Sequence, residues 1–231
     1  MHQFIDKKKK LFFYFILFLL LSTQITKRYN YEKKYYVKLN NIEVLGLSKK
    51  DNAKVYKSLE PLLFSNIFFL NKNKFQTVLE KNNLIESFYI KKFYPNTIKV
   101  NIKKTDFLAI TNLDNKKFYI GSNLKLIPIV DAENINKKLP FVFGKINNQN
   151  FIELKKIIDK SDFKFNEINS FFYFPSNRWD FKTNDGLLIK LPEKKILAAL
   201  KYAHKIKSDK KFEKNKIIDL RIPNRIIISN E

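Results

Sequence analysis

Close to the N-terminus, Lys7, Lys8, Lys9 and Lys10 precede an unbroken apolar run from Leu11 to Leu21, and after a short polar stretch Lys27 and Arg28 follow. This pattern reads as an export signal, and it divides the chain into a short head and a long remainder. A helix from Leu11 to Thr26 would run about 24 Å, short of a hydrocarbon core of about 30 Å. Snorkelling lysines and local thinning of the bilayer close such a gap. A cleavable signal ends in small residues spaced like Ala-x-Ala, which Leu20-Leu21-Ser22-Thr23-Gln24 does not offer, so a retained anchor is favoured. Its membrane-facing residues are taken as Leu11, Phe12, Phe15, Ile16, Leu19 and Leu20. The lysines on the amino side put residues 1–10 in the cytoplasm and everything beyond about Lys27 outside it.

The remainder has to fold around a real core. The chain is 45% hydrophobic and 15% aromatic, too apolar for a disordered basic tail despite a net charge of +23. With 231 residues it accommodates one modest domain plus a smaller module. Only Arg28, Arg178, Arg221 and Arg225 are arginines, and the lysines are spread along the whole chain among Asn, Ile and Phe. A phosphate- or base-reading surface favours clustered Arg, so a solvated basic surface is preferred to nucleic-acid binding. The absence of cysteine excludes structural disulfides, thiolate catalysis and Cys-ligated zinc.

The other catalytic signatures are equally sparse. Four isolated glycines, Gly46, Gly121, Gly144 and Gly186, cannot build a phosphate-cradling loop. His2 falls in the head, and His204 reads as a boundary residue of a helix rather than a triad or metal member. Asp and Glu are scattered and nothing selects a pair. No catalytic residue, metal or cofactor is therefore expected. Trp179, on an alternating strand beside Phe181, is assigned to the core or an interface rather than a ligand platform.

From Val37 the pattern becomes an ordered series of short elements. Leu39, Ile42 and Val44 mark a strand ending at Gly46. Ser48 caps a helix through Val55 and Leu59, which Pro61 stops near Leu59. Asn71 caps a second helix with Phe75, Val78 and Leu79 on its apolar face. Phe88 and Ile90 lead into a Pro95-Asn96-Thr97 turn, after which Ile98, Val100 and Ile102 alternate with Lys99, Asn101 and Lys103. The order strand, helix, helix, strand, strand predicts a three-stranded sheet covered on one face by two helices.

The second half reads differently. Phe118-Tyr119-Ile120 runs into a Gly121–Asn123 turn, Leu139-Pro140 leads to Gly144, and residues 151–158 form a helical repeat. Trp179, Phe181 and Thr183 alternate into Asn184-Asp185-Gly186, and Leu187, Ile189 and Leu191 alternate out. The Asp-Gly pair predicts a hairpin closed by a type I′ turn. Residues 193–208 form an amphipathic helix through Ile196, Leu197, Leu200 and Ala203. The chain closes on a strand from Lys216 to Ser229.

Three segments of the first module, Ile42-Glu43-Val44-Leu45-Gly46, Asn66-Ile67-Phe68 and Tyr94–Val100, resemble the POTRA module of the FtsQ/DivIB bacterial cell-division family. POTRA modules also occur in outer-membrane assembly and secretion proteins, so this half alone supports an extracytoplasmic protein–protein module. In the second half, Arg178-Trp179-Asp180, Asn184-Asp185-Gly186, Leu191-Pro192 and Ile218-Asp219-Leu220-Arg221 occur in the order found in the β-domain of FtsQ. The expected fold is α+β. It comprises a cytoplasmic tail (1–10), a single N-terminal transmembrane helix (11–26), a linker (27–36), a POTRA module (β-α-α-β-β, 37–105) and a mixed β-sheet domain with flanking helices (106–231). The resemblance implies a non-enzymatic divisome scaffold of the inner membrane, its carboxy-terminal part periplasmic, acting at the septum. The alternative is a POTRA-containing envelope assembly or secretion factor.

Pro223 cannot donate to a sheet ladder, which demotes the last strand to an edge or marks a bulge in it. An edge is a template for strand addition unless its own Lys and Arg or another segment protect it. In FtsQ-like proteins this region receives a strand from FtsB, itself paired with FtsL. The resemblance therefore implies FtsB-like and FtsL-like partners at Arg221, Ile222, Asn224, Ile226 and Ile228, and other divisome proteins at the POTRA module.

Overall fold

The computed structural model describes residues 7–23, 37–131, 138–209, 211, 216–222 and 225–230. Helix α1 covers Lys7–Thr23, 17 residues. Four lysines occupy its first turn, so at 1.5 Å per residue the whole helix is about 26 Å long and its apolar part is shorter still. Among the described residues no helix is long and apolar enough to cross a membrane. The helix begins four residues before the expected Leu11, and Gln24, Ile25 and Thr26 lie outside the described residues. All six residues assigned to the anchor are exposed on α1.

The first module follows the predicted order: β1 (Asn41–Leu45), α2 (Lys49–Leu59), α3 (Lys72–Leu79), β2 (Ile85–Phe93) and β3 (Thr97–Lys104). The strand order is β1-β3-β2, with β1 parallel to β3 and β2 antiparallel to it. Both helices start where their caps predict. The Ser48 hydroxyl accepts from the Asp51 amide, and the Asn71 side chain from the Lys74 amide. Pro61 converts the end of α2 into a single 3-10 turn, Glu60–Leu62. Alternating Ile98, Val100 and Ile102 of the central strand meet Val55, Leu59, Phe75 and Leu79 of the helices in one buried cluster.

The second module is a nine-stranded mixed sheet. Its elements are β4 (Phe107–Leu113), β5 (Lys116–Gly121), β6 (Leu126–Pro128), β7 (Phe141–Phe143), α4 (Asn148–Ile158), β8 (Ile168–Tyr173), β9 (Trp179–Thr183), β10 (Leu188–Lys190), α5 (Ile196–Lys207), β11 (Ile217–Asp219) and β12 (Ile227–Ser229). The order across the sheet is β12-β11-β10-β9-β8-β7-β4-β5-β6. Phe151, Leu154 and Ile158 of α4 and Leu200 and Ala203 of α5 cover one face, packing on Phe171, Trp179, Phe181, Ile189 and Ile218. Trp179 lies wholly within this core, against Tyr173 at 4.7 Å between ring centroids and tilted against Phe151 at 6.2 Å. Trp179→Ala is expected to cost about 3–5 kcal/mol of stability, read from urea unfolding, because the surrounding rings cannot close over the cavity.

Two local expectations are corrected. The Asn184-Asp185-Gly186 hairpin forms, but only Gly186 has positive φ, at 92°. The loop is therefore not a type I′ turn. The Gly186 amide donates to Thr183 O at 3.0 Å and the Thr183 amide to Leu187 O at 2.9 Å, the pattern of a three-residue loop closed by a left-handed glycine. The second correction concerns residues 216–229, which are two strands and not one. The Arg225 amide donates to Ile222 O at 3.2 Å, reversing the chain, and β12 returns antiparallel along β11. Pro223, at which a continuous ladder would have lacked a donor, lies outside the described residues. Helix α5 also begins at Ile196, three residues after the expected Glu193.

The modules are joined by only two residues, Thr105 and Asp106, between β3 and β4. The loop after β5 grips the first module: Asn123 Nδ2 donates to Asn83 O and Ile85 O, both at 2.9 Å, and the Ser122 hydroxyl donates to Glu86. Beneath these bonds Leu84, Tyr119 and Ile127 form a small buried cluster of their own. The Ser122 bond, with Lys103 nearby, holds the Glu86 carboxyl below its usual range.

Candidate protein-docking surface

The C-terminal end of the large sheet is built by β10, β11 and β12. Leu188, Ile189 and Lys190 run parallel to Ile217, Ile218 and Asp219, and these pair with Ser229, Ile228 and Ile227. A parallel β10–β11 pair requires a crossover, and α5 supplies it on the covered face. Because side chains alternate, Ile218 and Ile228 point toward the helices while Asp219 and Ile227 point to the opposite, open face. No further strand lies beyond β12 among the described residues, so it is an edge of the sheet.

A charged lock fixes the turn that leads to this edge. Asp219 is buried, and Arg221 Nε donates to both its carboxylate oxygens, at 2.8 and 2.9 Å, while the Arg221 amide donates at 3.1 Å. The fork holds the Asp219 carboxyl below its ordinary 3.8 and pushes the Arg221 guanidinium up. A lowered carboxyl contributes stability that is complete above the unfolded value and is lost as pH falls through the folded one. Acid unfolding between pH 5 and 2 should therefore become shallower in Asp219→Asn, measured as the pH dependence of the urea midpoint.

Asp180 of β9 behaves in the opposite sense. It is buried beside Arg178, whose Nε is 3.6 Å from its Oδ1, too far for a hydrogen bond, and burial pushes its carboxyl up. Neither atom has a hydrogen-bond partner. Asp180, Lys190, Asp219 and Ile227 form a single row across the open face through their strand registers. Beside that row is an aromatic ladder: Phe143 stacks on Phe172 at 5.2 Å, and Arg178 lies over Phe174 at 4.6 Å. A groove lined by Phe172, Arg178, Leu188, Ile217 and Arg221 follows this face along the edge.

The residues assigned to partner binding are distributed unevenly over this surface. Arg221 is committed to Asp219 and sits with Ile222 in the turn, not on the last strand. Ile226 lies exposed just before β12, and Ile228 is half-buried against the helix side. Asn224 lies outside the described residues. Sequence reasoning missed Ile227, the exposed strand residue on the open face, and also missed the aromatic ladder. The alternation of Ile227 against Ile226 and Ile228 was available as a signal; the ladder, assembled from β7 and β8, was not.

His204 packs edge-on against Phe163 at 5.4 Å, as a helix boundary residue. Among the described residues no group of three His, Asp or Glu is placed to hold a metal. What the chain presents is a two-module α+β protein with a sheet edge and, on the open face beside it, a groove of aromatic, aliphatic and charged side chains.

Residues 37–104 match the family model described as the FtsQ-type POTRA domain, and residues 109–221 match that of the C-terminal domain of cell division protein FtsQ/DivIB. The cell division protein FtsQ of Rickettsia conorii is 29% identical over 211 residues, 88% of this chain and 76% of that protein. The FtsQ of Rickettsia bellii is 29% identical over 83% of this chain and 72% of its own length. The extracytoplasmic domain of DivIB from Geobacillus stearothermophilus overlaps with a TM-score of 0.34 at 13% identity, covering 46% of this chain and 93% of that one, too slight an overlap to bear on the fold. The chain belongs to the FtsQ/DivIB family of bacterial cell division proteins. The C-terminal match sets aside the secretion-factor alternative, which rested on the POTRA half alone.

Proposed function

We propose that this protein is a non-enzymatic scaffold of the divisome, held in the inner membrane by α1 and docking other division proteins in the periplasm at the septum. The single observation that carries the docking role is that β12 is a sheet edge among the described residues, preceded by exposed Ile226 and with a groove of mixed apolar and charged lining on the adjoining face. An added strand would continue the ladder beyond β12, with alternate side chains over Ile227 and the groove. The occupants in this reading are FtsB-like and FtsL-like proteins, with further divisome proteins at the POTRA module, and neither nucleic acid nor a cofactor takes part. The units of this reading are the tail (1–10), the anchor (11–26), the linker (27–36), the POTRA module (37–105) and the β-domain (106–231). Leu11, Phe12, Phe15, Ile16, Leu19 and Leu20 meet lipid, and Lys9 and Lys10 snorkel to the headgroups, extending the effective span of a helix that is short on its own.

The test is co-purification of the full chain, in detergent or nanodiscs, with the FtsB-like and FtsL-like proteins of the same genome. A stoichiometric complex is expected. A folded chain that captures neither would remove the docking reading and leave the fold and family untouched.

A further inference from the structure

The end of the POTRA module nearest α1 in the chain carries an apolar surface that the module's core does not use. The segment leading into β1 pairs with the loop between α2 and α3: the Leu39 amide donates to Ser65 O at 2.9 Å, the Phe64 amide to Leu39 O at 2.8 Å, and the Ile67 amide to Val37 O at 3.1 Å. The tip of the β2–β3 hairpin closes on the same segment, the Asn40 amide donating to Asn96 O at 2.9 Å. Around this junction Phe69 and Phe64 stand 80% and 68% exposed, and Phe68 stacks on Tyr94 at 4.9 Å with both rings open to solvent.

Lysines outnumber carboxylates around the rings, where Glu60 at the start of the loop is the nearest acidic residue in sequence. Lys38 and Lys72, in the two segments that carry the patch, are exposed, and Lys92 Nζ donates to Ile67 O at 2.7 Å. From Pro61 to Leu79, and again from Ser87 to Thr105, there is no Asp or Glu. Aromatic rings interleaved with an excess of lysines are what an anionic lipid headgroup region accepts: rings enter the interfacial layer and ammonium groups pair with phosphates. Chain length supports the same occupant. The residues from Gln24 to Tyr36 separate α1 from this junction, a reach of at most about 45 Å when fully extended. The patch is therefore tethered within about 45 Å of whatever surface α1 occupies.

We propose that Phe64, Phe68, Phe69 and Tyr94 seat this end of the POTRA module on the outer surface of the membrane that holds α1, with Lys38 and Lys72 on its anionic headgroups. The proposal rests on the reading of α1 as an anchor. It gives the module a second, interfacial contact, so that the domain rests on the bilayer.

The chain has no native cysteine, so single-site labelling is clean. Full-length Phe69→Cys, Phe15→Cys and, as a control on the exposed face of α5, Tyr202→Cys would each carry a polarity-sensitive fluorophore and be reconstituted in phosphatidylethanolamine–phosphatidylglycerol vesicles. The Phe69 label is expected to shift to the blue, to be quenched by lipid-borne nitroxide and to lose quenching by aqueous iodide, while the Tyr202 label stays open to iodide. In vesicles of phosphatidylcholine alone the Phe69 shift should diminish; a shift that ignores headgroup charge overturns the role of the lysines. A Phe69 label as open to iodide as that at Tyr202, with the Phe15 label quenched from lipid, overturns the surface contact and keeps the anchor. A Phe15 label open to water removes the anchor reading and the proposal together.

Discussion

Ile226→Pro is expected to weaken partner binding by about 100-fold or more and to leave the melting temperature within about 2 °C of wild type. The side chain is exposed and precedes β12, so little of the native core depends on it. A strand arriving at this edge uses backbone donors and acceptors, and proline removes a donor while its ring blocks close approach. A loss of about 3 kcal/mol, typical of proline within a hydrogen-bonded element, corresponds to two decades of affinity. Titration of the purified partner pair against full-length wild type and variant measures it, with thermal unfolding of each as the control. Undiminished affinity in a variant that melts normally would show that partners do not pair with this strand.

The second large effect is internal to the POTRA module. Gly46, directly after β1, has φ of +113°, and a Cβ placed there would lie 1.8 Å from the carbonyl oxygen of Ile102. That oxygen belongs to the central strand, paired on both sides, and cannot withdraw. Gly46→Ala is expected to destabilise the module by about 3 kcal/mol or more, adding steric overlap to a disfavoured backbone. For a module of this size the first thermal transition should fall by more than about 12 °C. Gly186→Ala is the natural comparison, since φ there is also positive but no atom lies within 4 Å of the added Cβ. It should cost only about 1 kcal/mol, the conformational part alone. Equal losses in the two variants would mean that the approach to Ile102 is not what Gly46 permits.

These contrasts show where the sequence is a sufficient guide. In the POTRA module the elements are set by local signals: Ser48 and Asn71 make the cap bonds expected of them, and Ile98, Val100 and Ile102 alternate inward. Local chemistry also located the hairpin at Asn184-Asp185-Gly186. It could not distinguish a two-residue from a three-residue loop, because that choice depends on how Thr183 and Leu187 pair. The reversal between Ile222 and Arg225 was hidden for a related reason. Ile218 before the turn and Ile228 after it are paired on the helix side and share even numbering, so the alternation reads as if the strand were continuous. The candidate surface was legible only as an edge. The ladder of Phe143 and Phe172 comes from strands far apart in sequence whose adjacency is set by the sheet order, and no spacing rule announces it.

The grip of the loop after β5 on the POTRA module bears on mechanics. Two modules joined by two residues, cross-bonded through Asn123 and Ser122 and sealed by Leu84, Tyr119 and Ile127, have little freedom to swing. Tension applied at one of them is handed on to the other as a change of tilt. Such a body works as a strut, able to convert the pose of its base into the heading of its far edge.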